Sequence, residues 1–564
     1  MKDYRIPYGD GDYKNIRTSN SIYVDKTKYI EVLEGLNTKY PVFLRPRRFG
    51  KTLFTSMLFY YYDRNSTDEF DTLFGDTYIG ANKTELANQY YVLRLDFSGL
   101  DSEDEGRLRR AFYRKVKGSL ENFLSRYAFD FELEGNSDYD SAALLDEFFH
   151  KTSLITEGMV YILIDEYDQF ANNILGNKDF FQSITDKDGF VRRFYEIIKA
   201  HAGPGFERMF ITGVTSITLD SLTSGFNIAK NVSMRRKLNE MMGFTEDETR
   251  GLLDLLDIPD KTNIMNLLIA YYNGYVFYRD PDSVERVLNS NLVMYFLDEY
   301  REEEGIPSQL ADQNIKSDYN KLTSMFSLYE DKEEQEQILQ GIIAGEDMKS
   351  DIITNFSSLD TFGKQHFLSM LFYLGLLTIK GRSHDYDAKL QTPNAVMRDV
   401  YYEYYASYLA LSESKIRDAV GEIALKDRFD DFNQLLTQVL QLHSNEDFKE
   451  FNEKRLKSVF LSCLGNQKRY LVKSEYESNG KKPDIALLDI RGGKTQVKYN
   501  YLIELKYIQK KNASIAEIES QRKEAYVQMQ NYLKLPEFEQ DKRIKGMIYV
   551  VVKDEIKYFE EVQI

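Results

Sequence analysis

A chain of 564 residues is longer than one hydrophobic core serves, and at about 150 residues per domain it predicts three or four units. Its 42% hydrophobic and 29% charged residues are ordinary globular composition, without internal repeats or low-complexity tracts. The lone Cys463 excludes an intrachain disulfide and a Cys-rich zinc centre, and a net charge of −17 argues against a chain coated along its length in nucleic acid. No apolar run approaches the roughly 20 residues of a membrane span, and Met1-Lys2-Asp3-Tyr4-Arg5 opens without a signal-peptide apolar region. A soluble cytoplasmic protein with no membrane partner is therefore expected.

Residues 1–245 alternate apolar strand-like runs with amphipathic helical stretches, the pattern of a three-layer α/β domain around a parallel sheet. Val42-Phe43-Leu44, Val92–Leu95, Val160–Ile164 and Met209–Thr212 read as its strands. The first runs into Arg45-Pro46-Arg47-Arg48-Phe49-Gly50-Lys51-Thr52, and a helix over Leu53–Tyr62 follows. Strand, glycine loop and helix make a phosphate loop: Gly50 lets backbone N–H groups approach phosphate oxygens. Lys51 would reach the β and γ phosphates, and the Thr52 hydroxyl would hold Mg²⁺. Arg47, Arg48 and Phe49 complete the expected nucleotide-binding string, although Arg45 stands where the usual motif has its first glycine. Arg47 and Arg48 would touch phosphates or a neighbouring subunit, or else form a solvated basic loop.

The third strand ends in Asp165-Glu166. Two adjacent carboxylates at the end of a buried strand are costly without a cation. Asp165 is expected to hold Mg²⁺ through water and Glu166 to polarise the attacking water. The fourth ends in Thr212-Gly213-Val214-Thr215-Ser216, which puts hydroxyls where a γ-phosphate sensor sits, Thr212 first among them; ordinary strand-end turn chemistry accounts for them equally well. Arg235 and Arg236 are weaker candidates for an arginine finger acting on a neighbour.

Past Gly243 the pattern turns helical, through Tyr271–Tyr275 to about residue 300, and predicts a helical lid over 246–330. Polar stretches at 301–318 and 330–337 read as loops or boundaries. Within 331–440, Phe367–Leu374 reads as a helix, and Leu376–Lys380 and Ala388–Gln391 as two strands, an order that resembles a winged-helix module. Residues 413–464 are helical again.

The terminal unit, 441–564, reads helix, three strands (Tyr470–Val472, Ile485–Leu488, Tyr501–Leu505), helix and a further strand, Gly546–Val552. Asp484 opens one of these strands, and Glu504-Leu505-Lys506 lies on the next. Residues i and i+2 of a strand share a face, so Glu504 and Lys506 point together. Asp484 and Glu504 would bind a metal; Lys506 would orient or deprotonate water and steady the pentavalent phosphate. A surface ion-pair ladder between strands is the plainer alternative. Residues 451–564 carry 22 Lys and Arg against 16 Asp and Glu, whereas the first 450 carry 51 against 74. The positive balance sits where a phosphate-binding surface would need it, or marks a basic surface with no ligand.

Tyr23-Val24-Asp25-Lys26-Thr27, the Arg45–Thr52 string, Ile164-Asp165-Glu166-Tyr167-Asp168 and Thr218–Asn227 together resemble the bacterial AAA-ATPase-like proteins with a C-terminal PD-(D/E)XK nuclease domain, a Bacteroides-type family. The resemblance spans both ends of the chain and is loose over 300–440. It implies an AAA-like P-loop ATPase domain at the front, a restriction-endonuclease-like α/β domain at the end, and ATP and Mg²⁺ as cofactors. In that family the arginine-proline form of the loop is normal. Gln528 and Tyr532, at i and i+4 of the last helix, resemble the Q-x-x-x-Y element of exonuclease-like branches and would line the nucleic-acid path. A further metal-binding acid is expected from Glu453, Glu475 or Glu477, with Glu453 the first choice. The implied function is an ATP-regulated nuclease acting on nucleic acid, DNA before RNA, in defence or mobile-element conflict, with room for a homo-oligomer. The alternatives are a nucleotide-dependent DNA- or protein-binding switch whose terminal domain does not cut, and an ATPase with a client protein.

Overall fold

The computed structural model describes residues 3–563 except 136–137, 175–176, 186–188, 217–227, 313–321, 324, 327–328, 330, 355–361, 386–387, 443–446, 466, 468, 475–481, 490–495 and 540. The Thr218–Asn227 string and the acids Glu475 and Glu477 lie outside the described residues.

A five-stranded parallel sheet organises the front of the chain: β1 (Pro41–Leu44), β2 (Tyr91–Asp96), β3 (Val160–Asp165), β4 (Arg208–Gly213) and β5 (Lys230–Asn231), in the order β2-β3-β4-β1-β5. Helices lie between β1 and β2, between β2 and β3 and between β3 and β4, as parallel pairing requires. All four residues of β1 and all six of β3 are buried, the double-sided burial that their unbroken apolar runs predict. β4 lies between β1 and β3, with Val42 opposite Ile211 and Ile164 also opposite Ile211. The loops leaving β1 and β3 therefore emerge at one edge of the sheet, where open parallel sheets bind ligands.

Helices Glu246–Leu255, Lys261–Tyr272 and Ser290–Glu302 follow. In the acid-rich stretch at 330–337, read as a loop or boundary, residues 332–337 begin helix Lys332–Ala344, and 330 lies outside the described residues. Asp331 caps it by accepting from the Glu334 N–H at 2.9 Å, and Glu333 and Glu334 lie in the first turn, where negative charge complements the helix dipole. Next come β6 (Met348–Ser350), helix Lys364–Tyr373, β7 (Thr378–Gly381) and β8 (Ala388–Gln391), the strands forming a small antiparallel sheet in the order β6-β8-β7. Helix then hairpin is the order read from the sequence; β6 completes the sheet.

Behind helices Ala395–Tyr408, Glu413–Lys426, Asp430–Leu442 and Glu453–Leu464 stands a second five-stranded sheet: β9 (Leu471–Ser474), β10 (Ile485–Leu488), β11 (Asn500–Ile508), β12 (Ile544–Val552) and β13 (Glu555–Val562), ordered β13-β12-β11-β10-β9. Only β11 and β12 pair in parallel, and helix Ile515–Leu533 makes the crossover between them. One large apolar core runs from Ile6 to Val551, so the units share their packing. No helix among the described residues is long and apolar enough to cross a membrane.

Candidate functional site

Two groups of functional side chains arise from this scaffold. The first is the turn between β1 and helix Lys51–Tyr62. Arg48 and Gly50 both take positive φ, 69° and 89°, which curls the backbone ahead of the helix. The positive φ rather than crowding calls for glycine at position 50, since a Cβ there would meet only the Ser290 hydroxyl, at 3.8 Å. Lys51 is buried, donates to the Pro46 carbonyl at 3.2 Å, and lies 3.7 Å from Glu166. Thr52 hydrogen-bonds Asp165 at the end of β3. Burial first, and then Glu166, push the Asp165 carboxyl up to about 6, against the opposing pull of the Thr52 hydroxyl and Lys51. A carboxyl so placed is short of positive charge, a shortage that a bound cation would relieve. Lys51, Thr52, Asp165 and Glu166 are therefore brought together.

A cleft of about 360 Å³ opens over this loop, the size of a small-ligand site. Arg47, Arg48, Phe49, Gly50, Lys51 and Thr52 all line it. Arg47 is already engaged, donating to the Gln169 side chain at 2.7 Å. Thr212 is not brought to the cleft: it is fully buried in β4, and its hydroxyl has no hydrogen-bond partner among the described residues. Thr215 is committed to Asp168, whose carboxylate accepts from the Thr215 hydroxyl at 2.7 Å and from the Val214 N–H at 3.0 Å. Arg235 and Arg236 also lie away from the cleft. Sequence reasoning missed Tyr23, Met242 and Asn291 as lining residues; only Tyr23 carried a signal, as the first residue of the Tyr23–Thr27 string. Val24 and Lys26 of that string line the cleft too, and Lys26 also ties it to the next helix. Lys26 holds both carboxylate oxygens of Glu248 at 2.7 Å, and Glu248 in turn closes the capping box of helix Glu246–Leu255 with Thr245.

The second group sits where β10 meets β11. Asp484, just before β10, accepts from the Leu505 N–H at 2.9 Å and lies 3.6 Å from Lys457. With Ile485 paired to Ile503, the antiparallel register brings Asp484 level with Glu504. Glu504 is 5% exposed; one of its oxygens lies 3.4 Å from Lys506, while Oε2 is buried with no partner among the described residues. Burial and then Asp484 raise the Glu504 carboxyl to about 8, Lys506 working the other way. Glu453, in the first turn of helix Glu453–Leu464, is pushed up as well, first by burial of its carboxyl and then by Asp484. For Lys506, burial opposes its charge, but Glu504, Glu453, Glu524 and Asp484 outweigh it and hold the ammonium above its usual range.

Three carboxyls thus act on one another, Glu453 from an exposed position, and one Glu504 oxygen is orphaned among the described residues. That donor set suits a hard divalent cation, which would bring the missing charge. Lys457, buried on the same helix face as Glu453 at i+4, is a neighbour that sequence reasoning overlooked; Glu453-x-x-x-Lys457 was its only signal. Helix Ile515–Leu533 presents Glu524, Gln528 and Tyr532 in successive turns toward the same place. Glu524 lies 3.5 Å from Lys506, and Gln528 donates to Glu524 at 3.3 Å and keeps its own buried oxygen unpaired among the described residues. The Tyr532 hydroxyl is pushed up by burial and by Glu504 and Asp484.

Comparison with known proteins agrees with both ends. Residues 7–223 match the family model described as a predicted AAA-ATPase, and residues 451–561 match the PD-(D/E)XK nuclease superfamily. A protein of Azotobacter chroococcum mcd 1, described as an uncharacterized protein in the vnfD 5' region, is 26% identical over 281 residues, 49% of this chain and 49% of that protein. The chain spans about half the length of this curated relative.

Proposed function

We propose that this chain, which joins an AAA-ATPase-like domain to a PD-(D/E)XK nuclease domain, is an ATP-regulated, Mg²⁺-dependent nuclease that cuts DNA. The observation that carries the reading is the buried Glu504 carboxyl, crowded by Asp484 and left with an unpartnered oxygen beside Lys506. The working units are 1–245 (ATPase), 246–330 (lid), 331–440 (linker) and 441–564 (nuclease). A cytoplasmic setting and a role in defence or mobile-element conflict fit the architecture, and a homo-oligomer would let a neighbour's arginine reach the nucleotide.

At the terminal site, Asp484, Glu504 and Glu453 would hold the cation, whose chemistry is to polarise the scissile phosphate and acidify water. Lys506 is placed to orient the attacking water and offset charge growing on the phosphate; a lysine whose ammonium its neighbours stabilise is a poor base. Gln528 and Tyr532 would lie along the strand being cut. At the front, Lys51 and the loop N–H groups would bind the β and γ phosphates of ATP, Thr52 and Asp165 would hold Mg²⁺, and Glu166 would align water.

The test is cleavage of linear and circular DNA by the purified chain with Mg²⁺, with and without ATP. Wild type should cut, Glu504→Ala should lose at least about 10³-fold, and Lys51→Ala should lose the response to ATP. Intact DNA in every lane, with ATP still hydrolysed, would favour a terminal domain that binds without cutting.

A further inference from the structure

Away from both sites, three side chains with metal-binding chemistry converge at the opposite edge of the front sheet. Helix Ser141–Thr156 leads into β3 and carries Asp146 and His150, four residues apart and so on one face. Helix Phe190–Ala200 precedes β4, and His201 caps its C-terminus. Nε2 of His201 lies 2.7 Å from one Asp146 oxygen, and Nε2 of His150 lies 3.6 Å from the other. One ligand atom from each residue falls within 4.8 Å of the other two. Around a tetrahedral Zn²⁺ with bonds of 2.0–2.1 Å, ligand atoms are about 3.3 Å apart, so small side-chain rotations close the set.

Two further features show that the site is held rather than accidental. The His201 ring stacks on Phe149 at 4.9 Å and 27°, and only 13% of its side chain is exposed. Its backbone is fixed too: the His201 N–H donates to the Ile197 carbonyl at 3.1 Å, and its own carbonyl accepts from Gly205 at 2.8 Å. His150, by contrast, is 71% exposed, which leaves the outer side open to water or an outside ligand.

We propose that Asp146, His150 and His201 form a binding site for a late first-row divalent cation, Zn²⁺ before Mg²⁺ or Ca²⁺. Two imidazoles and one carboxylate are the donors that Zn²⁺, Co²⁺ and Ni²⁺ prefer, whereas Mg²⁺ and Ca²⁺ take oxygen. The bound ion would staple the helix entering β3 to the helix entering β4. None of Asp146, His150 and His201 lines the cleft over the phosphate loop or belongs to the Glu453, Asp484 and Glu504 group, so the site is separate from both the nucleotide and the nuclease metals.

The test strips the full-length chain with EDTA, exchanges it into chelator-free buffer, and titrates Zn²⁺ in competition with a chromophoric chelator. Wild type and Glu504→Gln should both bind one tight equivalent whose X-ray absorption edge carries the imidazole signature. His150→Ala, a change at an exposed position that should leave the metal-free melting temperature unmoved, should weaken that equivalent at least about 10-fold, and His150→Ala/His201→Gln should abolish it. Unaltered Zn²⁺ affinity in His150→Ala, no tight equivalent in wild type, or a bound zinc without imidazole scattering would each overturn the site and leave an Asp146–His201 ion pair.

Discussion

Arg45 stands where a phosphate loop usually begins with glycine, yet its side chain turns away from the cleft. The guanidinium lies 4.1 Å from the Phe43 ring centroid and 4.0 Å from that of Phe277, and donates to the carbonyls of Leu44, Ser233 and Leu238 at 2.7–2.9 Å. Restoring the usual residue with Arg45→Gly should therefore lose about 3 kcal/mol in urea unfolding, and should not tighten nucleotide binding. Glu504 makes a second prediction at this scale. Its folded-state carboxyl titrates at about 8, above the ordinary 4.5, so the folded protein keeps a proton that the unfolded chain has released. Stability of the metal-free protein should then fall as pH rises from about 4.5 to about 8. Asp165, raised to about 6, acts in the same direction over a narrower range. Melting temperatures measured in EDTA between pH 5 and 8.5 should decline more steeply for wild type than for Glu504→Gln. Equal slopes would place the Glu504 proton elsewhere.

At the scale of elements, what could be read from the sequence follows the strength of each local signal. β1, residues 160–164 of β3 and residues 546–552 of β12 are unbroken apolar runs, and burial on both faces leaves few other places for them. β13, Glu555–Val562, went unread because its exposed edge position fills it with charge: Glu555, Lys557, Glu560 and Glu561 break the apolar pattern. β5 has only two residues and owes its place to pairing with Pro41 and Val42. Helix Lys332–Ala344 hid behind its own acids, which read as loop by composition but serve as a capped first turn. The terminal group was legible because Glu504 and Lys506 alternate along β11 and Asp484 stands one residue before the neighbouring β10. Glu453 and Lys457 come from a helix about 30 residues earlier in the chain, and only the packing of that helix on β11 and β9 gives them their place. Thr212 shows where alternation along a strand stops being informative. The strand end was located, but Thr212 is fully buried and is not among the residues lining the cleft.

Across the whole molecule, the two reactive ends are joined by a continuous set of contacts through the middle of the chain. Lys51 donates to the Pro46 carbonyl, and the Pro46 ring packs on Gly375, where an added Cβ would come within 2.8 Å of it. Beside Gly375, the Leu376 carbonyl accepts from the Tyr401 hydroxyl at 3.4 Å; one turn along the same helix, the Tyr405 hydroxyl accepts from Gln340 at 3.3 Å. The Gln340 carbonyl accepts from Ser458 at 3.1 Å, and Glu336 and Glu346 pair with Arg455 and Lys454 at 2.8 and 2.7 Å, on the helix that begins with Glu453. Contiguity alone does not couple two sites; nucleotide must bind two arrangements of this path with different affinity. If it does, the coupling is reciprocal, so ATP should change DNA affinity by the same factor, typically 5–150-fold, by which DNA changes ATP affinity. Gly375→Val tests the path at its narrowest point. Gly375 has φ +78°, and the added side chain would press on Pro46, so ATP affinity should fall at least about 10-fold. Both reciprocal factors should also shrink toward unity, while DNA affinity without nucleotide stays at the wild-type value. Fluorescence titrations of each ligand in the presence and absence of the other measure all four constants. A variant that binds ATP weakly but keeps the wild-type factor would show that coupling bypasses the Pro46–Gly375 contact, because loss of affinity and loss of coupling are separate free energies.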